Sequence, residues 1–333
     1  MDLPTLWFVI IAVLWTGYLL LEGFDFGVGA LLPVVSRDET DRQLTLGTIG
    51  PVWDGNEVWL ITAVGATFAA FPVWYASLLS GFYLPLLLIL VALIVRGVAL
   101  EYRGKRPDAR WRARCDAGIV FGSLVPAFFW GVIFANVVRG VPVDARGVVH
   151  ASVVDLLNPY GLLGGTALLA LCLLHGAVFL SLKTGGALRL RARGLGFAAA
   201  AVALPALTVA LTATAAAREA RWAYGAAVAA GLLVVAAAVA LRGGREGWAF
   251  AATAATAVLV TGTLFGALWP QLLPTTLAGP GLTVGNAASA SYTLEVMSWV
   301  AAVFTPLVIA YQGWTYWVFR RRLTREPAAV SAT

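Results

Sequence analysis

Nine apolar runs limit what this chain can become. They fall at about residues 5–30, 52–74, 78–100, 116–138, 158–181, 195–215, 222–241, 247–269 and 297–319. Each is close to the roughly 20 residues that a helix needs to cross a bilayer. The runs at 195–215 and 222–241 are mostly Ala and Val; the first four and the ninth are rich in Leu, Ile, Val, Phe and Trp. Only 12% of the residues are charged, about half the share of an ordinary soluble domain. The expected fold is an all-α polytopic membrane protein with about nine transmembrane helices. It forms one integral membrane domain over 1–333.

The positive charges follow the expected alternation. Eighteen of the 23 Lys and Arg residues lie in the odd-numbered connections and the C-terminal tail. Four lie in the even-numbered connections and one, Arg96, inside a run. Because Lys and Arg mark the cytoplasmic side, this predicts an outside N-terminus and a cytoplasmic C-terminus. The N-terminal "MDLPTLWFVII" lacks a basic region and a small-residue cleavage site, so it reads as a first span rather than a leader. The net charge of +6 is explained by this topology and by anionic headgroups, and no patch argues for nucleic acid.

A connection near 183–194 divides the chain into a polar-site half, 1–182, and a mainly scaffold half, 183–333. Helices one to four and five to eight are expected to form two four-helix bundles, leaving the ninth as a peripheral helix. The longest connection, about 270–296, is rich in Pro, Gly and Ser and is expected on the outer face.

Ionisable residues inside spans are costly and are therefore functional candidates. With a rise of about 1.5 Å per residue, Asp25 lies about 30 Å beyond Thr5, close to the inner boundary of the hydrocarbon. The second span returns Asp54 and Glu57 to the same layer, and the third brings Arg96 and, just beyond, Glu101. Asp54 and Glu57 are three residues apart, as are Glu22 and Asp25, and such pairs are neighbours on a helix surface. Nearby carboxyl groups in a low dielectric can hold and release a proton, while Arg96 stays charged as an anchor. Asp54, Asp25 and Glu57 are the proton-transfer candidates. Arg96, Asn56, Trp53, Trp59 and Glu101 form the expected structural polar cluster around them.

Other residues have plainer readings. His175 is expected as a satisfied core histidine, His150 as an exposed one, and Cys115 and Cys172 as small apolar fillers. The "GLLGG" run from Gly161 fits close helix packing. Trp7, Trp15, Trp74, Trp269, Trp299, Trp314 and Trp317 fit interfacial belts. From the residues alone, a redox-complex subunit, a proton-coupled secondary transporter and a membrane scaffold all remain open.

The segments "EGFDFGVGALLP" (22–33), "PVWDGNEVWLITAVGATFAAFP" (51–72), "SGFYLPLLLILVALIVRGVALEYR" (80–103), "LNPYGLLGG" (157–165) and "SYTLEVMSWVAAVFTPLVIAYQGWTYW" (291–317) resemble subunit II of the cytochrome bd-type quinol oxidases. The resemblance runs the full length. It implies a non-haem subunit beside a partner, subunit I, that carries two b-type haems, one d-type haem and the quinol site. No haem is expected in this chain; a structural quinone and small accessory subunits are compatible with the family. The implied reaction oxidises quinol at the outer face of a bacterial cell membrane and reduces oxygen to water with cytoplasmic protons. The resemblance places Asp54 on the proton route, Asp25 and Arg96 in the same polar region, and Trp59 near an oxygen route.

Overall fold

The structure is a computed structural model that describes residues 2–325; Met1 and residues 326–333 of the expected single unit lie outside the described residues. Twelve helices follow in order: α1 (Leu3–Val35), α2 (Glu39–Ile49), α3 (Trp53–Ala70), α4 (Pro72–Gly81), α5 (Tyr83–Tyr102), α6 (Ala109–Arg139), α7 (Val153–Leu156), α8 (Pro159–Lys183), α9 (Gly186–Ala217), α10 (Arg221–Arg242), α11 (Glu246–Leu268) and α12 (Ser291–Val318). Two short strands, β1 (Gln271–Leu273) and β2 (Leu282–Thr283), pair antiparallel between α11 and α12.

Eight of these helices are long and apolar enough to cross a membrane. The run expected at 52–74 differs from the others. It breaks at Phe71, because Pro72 disfavours helical backbone at the residue before it and then occupies the first position of α4. α2 was not expected as an element. The Asp38 side chain caps it by accepting the Asp41 N–H at 2.8 Å, and Glu39 and Asp41 suit its positive N-terminal end.

The helices form the two expected groups. α1, α3–α4, α5 and α6 pack together, as do α8, α9, α10 and α11, and α1 and α6 join the groups by packing on α8. The α1–α8 crossing is backbone against backbone. A Cβ on Gly27 would lie 1.9 Å from the Cys172 carbonyl oxygen, so only glycine permits this approach. α12 is peripheral: 6% of its apolar window is buried, against 67% for α8.

The tryptophan expectation needs correction. Trp7, Trp15 and Trp74 are core residues rather than belt residues. Trp15 meets Trp130 edge to face at 4.8 Å, and Trp130 donates its ring N–H to the Tyr18 hydroxyl at 3.1 Å. Trp269, Trp299, Trp314 and Trp317 are exposed. A large apolar ring is at home in a core as well as at an interface, which residue type alone does not reveal; the Trp7 N–H finds partners there, while the Trp74 N–H is buried without one among the described residues.

The basic connections all meet at one end of the molecule. Arg103 spans Glu39 and Asp116, Arg191 and Arg325 reach Asp41, and Arg189 and Arg322 reach Glu246. At the opposite end the 140–150 segment joins the 270–290 segment through Val141 and Pro274, and Ser289 binds the Ala70 carbonyl. The charge alternation is therefore built into the packing.

Hydrogen bonds from Arg103, reinforced by the charges of Arg103 and Arg112, pull the Glu39 carboxyl down to about 2. A depressed carboxyl contributes stability above its ordinary value of 4.5 and loses it as pH falls toward 2. The unfolding midpoint of the purified protein is expected to fall with pH across that window. In Arg103→Gln the same limb of the pH profile is expected to be shallower.

Candidate functional site

Five side chains from three helices converge in the first bundle. Glu22 and Asp25 come from α1, Asn56 and Glu57 from near the start of α3, and Arg96 from α5. Glu22, Asp25, Asn56 and Arg96 are fully buried, and the Glu57 side chain is 24% exposed. The Arg96 guanidinium ion-pairs with Glu22, and the same Nη1 lies 3.1 Å from Glu57 Oε1. The Phe26 ring lies beside the guanidinium, with its centroid 5.0 Å away. Gly122 of α6 makes room for this: a Cβ there would fall 2.3 Å from the Arg96 Cβ.

Asn56 links the second carboxylate to the periphery. Its Nδ2 donates to Asp25 Oδ2 at 2.7 Å, and its Oδ1 accepts from Tyr316 Oη at 2.7 Å and Gln312 Nε2 at 3.0 Å. Two donors on Oδ1 fix the amide orientation and aim the –NH2 at Asp25. Sequence reasoning missed Gln312 and Tyr316. Their signal was a polar pair at i and i+4 on one face of an apolar helix. α12, which falls in the expected scaffold half, thus supplies part of the polar site.

Two expected members do not join the cluster. Asp54 is exposed at the surface of α3, where its carboxylate accepts the adjacent Gly55 N–H at 2.8 Å. Glu101, expected in the structural cluster, is exposed and pairs with Lys105 one turn on at 3.3 Å. It lies beyond the buried segment of α5, where a charge is solvated at little cost. Trp59 lies over Gly17, where a Cβ would fall 2.2 Å from its ring, and Trp53 packs near Gly97. Both rings therefore wedge α3 against its neighbours.

His175 is engaged on both sides. Its Nδ1 is 2.7 Å from the Thr253 hydroxyl, its Nε2 is 3.2 Å from the Leu20 carbonyl oxygen, and its ring stacks on Phe250 at 4.7 Å. An axial bond from it to a haem would require breaking one of these contacts and opening a packed core. The residues around it do not fit that group. Among the described residues, no three His, Cys, Asp or Glu side chains gather to hold a metal ion. His150 is exposed and pairs with Asp144 at 3.0 Å.

The model of the family described as cytochrome bd terminal oxidase subunit II matches residues 3–319. The chain belongs to the cytochrome bd terminal oxidase subunit II family. It is 42% identical to cytochrome bd ubiquinol oxidase subunit 2 of Bacillus subtilis (strain 168), over 98% of both chains. It is 35% identical to cytochrome bd-I ubiquinol oxidase subunit 2 of Escherichia coli (strain K12), over 96% of this chain and 95% of that one. A chain of the bd oxidase structure from Geobacillus thermodenitrificans shares its fold, with a TM-score of 0.71 at 19% identity, over 96% of this chain and 99% of that one. In this terminal oxidase subunit, a multi-pass membrane protein, the polar cluster is set in a fold also seen in a bd oxidase chain.

Removing one partner of a buried ion pair leaves an uncompensated charge. Arg96→Met is expected to destabilise the subunit by about 3–5 kcal/mol. Adding Glu22→Gln should recover part of that loss. Chemical denaturation of the purified complex, followed by its loss of assembly, measures both.

Proposed function

We propose that this chain is the haem-free second subunit of a quinol:oxygen oxidoreductase and conducts protons toward a partner subunit that reduces oxygen. The observation that carries the reading is the pairing of Arg96 with buried Glu22 and half-buried Glu57, with buried Asp25 one turn from Glu22 and held by Asn56. Arg96 can neutralise one carboxylate; the remaining carboxyl groups are available to hold and release protons. Six buried side-chain polar atoms lack a hydrogen-bond partner among the described residues, and four belong to this cluster: Glu22 Oε2, Asp25 Oδ1, Arg96 Nε and Arg96 Nη2. Such atoms give the site spare hydrogen-bonding capacity, which a relay through bridging waters needs.

Among the described residues, the cluster reaches the surface at Glu57. Glu57 is partly exposed and Asp54, one turn earlier on α3, lies at the surface. A proton held between Glu22 and Asp25 would leave by way of Glu57 and Asp54 to a partner covering α3. An ionised Asp54 is a poor neighbour for lipid, so this face fits a protein partner of complementary polarity. That partner is subunit I, and its b- and d-type haems supply the electron transfer and oxygen chemistry. Two quinols release four electrons and four protons on the outer side, while one oxygen takes those electrons and four inner-side protons to give two waters. The orientation is N-terminus outside and C-terminus inside, in a bacterial cytoplasmic membrane. Family membership argues against the secondary-transporter alternative.

If the cluster relays protons, neutralising its members slows turnover without removing haem. Asp25→Asn and Asp54→Asn are each expected to lower quinol-driven oxygen uptake by on the order of 10-fold or more, as loss of a positioned proton-transfer group does. Reduced-minus-oxidised spectra should keep their b- and d-type bands. Wild-type uptake in both variants would reduce the subunit to a scaffold.

A further inference from the structure

Away from the buried cluster, a groove of about 630 Å³ opens between the end of α1, α2 and the first turns of α6. Its two ends differ in chemistry. The end toward the basic connections is lined by Glu39, Arg42, Arg112 and Asp116, and the other by Leu32, Pro33, Val120 and Phe121. Between them, Ala113 and Ala117 are exposed one turn apart on α6, in line with the exposed Phe121. The small side chains form the trough, and Ala113 to Phe121 covers about 12 Å along the helix axis.

The polar end carries a surplus positive charge. Arg103, almost fully buried, holds both carboxylates: Nη1 and Nη2 donate to Glu39 at 2.8 and 3.0 Å, and Nε donates to Asp116 at 2.5 Å. With Arg42 and Arg112, three guanidiniums face two carboxylates, leaving one positive charge. Arg42 Nε is buried without a hydrogen bond, although it lies 3.4 Å from Asp116 Oδ2. Arg112 gives Nη2 to the Pro107 carbonyl at 2.8 Å, and its Nη1 lies 3.3 Å from Glu39 Oε1. The Arg42 side chain is 37% exposed and that of Arg112 29%, so both present positive charge at the polar mouth of an apolar trough.

We propose that this groove binds one anionic phospholipid of the leaflet at the basic end. Its phosphate would lie between Arg42 and Arg112, and an acyl chain would run along Ala113, Ala117 and Phe121. A phosphodiester with an uncharged headgroup carries one negative charge, equal to the surplus. A zwitterionic headgroup would place a further cation beside the arginines. The groove shares no residue with the proton-transfer cluster, so this proposal does not rest on that reading.

The test uses the whole detergent-purified complex, stripped of lipid and incubated with phosphatidylglycerol or phosphatidylcholine. Native mass spectrometry then counts the retained lipids. Wild-type complex is expected to keep one phosphatidylglycerol, in preference to phosphatidylcholine. Arg42→Gln/Arg112→Gln is expected to bind it roughly 10-fold more weakly, since each arginine near an anionic lipid contributes modestly. Ala117→Leu leaves every charge in place and blocks the trough, and should lose the same lipid. Unchanged retention in both variants would overturn the proposal. Equal retention of phosphatidylcholine, or a polypeptide found seated in the groove, would also overturn it.

Discussion

A guanidinium with no exposed surface sets the terms for the first half of the molecule. Arg96 cannot shed its charge, and burying that charge is tolerable only with partners that satisfy it. Those partners come from two other helices: Glu22 from α1 and Glu57 from α3. The requirement fixes the rotation and height of α1, α3 and α5 against one another. α6 completes the enclosure by crossing at Gly122. The cost of this cluster in an otherwise apolar bundle argues for a use beyond joining helices, because leucines would pack there more cheaply.

The same logic explains how a helix with almost no buried surface stays in place. α12 meets the body through Trp7, whose ring N–H reaches the Leu294 carbonyl and the Ser298 hydroxyl at 3.1 Å, and through Gln312 and Tyr316 on Asn56. Beyond α12 the chain returns across the basic end. Leu323 exchanges backbone hydrogen bonds with Lys183 and Gly185, and Arg322 and Arg325 reach Glu246, Asp38 and Asp41. Polar contacts at both ends thus take the place of an apolar seam. They also tie the peripheral helix to the orientation of Asp25.

Much of this was legible in the sequence because bilayer-crossing helices are written in length and hydropathy. The apolar runs became helices, and the charge alternation became two chemically distinct ends. The convergence of Glu22, Asp25, Glu57 and Arg96 followed from counting rise along antiparallel helices. Finer placement was not legible. Asp54 and Glu57 are neighbours by spacing, yet the short Asp54 turns to its own backbone at the helix start while the longer Glu57 reaches Arg96. Gln312 and Tyr316 contact a residue more than 250 positions away, which local periodicity cannot supply. Glu101 shares its helix with Arg96 but lies where the segment leaves the core. Trp7, Trp15 and Trp74 were misplaced because ring size and polarity suit core and interface alike.

The central claim is that the carboxyl groups around Arg96 change protonation as the complex turns over. Infrared difference spectra of the reduced and oxidised complex report this in the protonated-carboxyl stretching region. The account predicts a redox-linked carboxyl band that is lost or shifted in Glu22→Gln or Asp25→Asn and persists in Glu101→Gln. A fully active complex whose difference spectrum is indifferent to Glu22, Asp25 and Glu57 substitutions would contradict it.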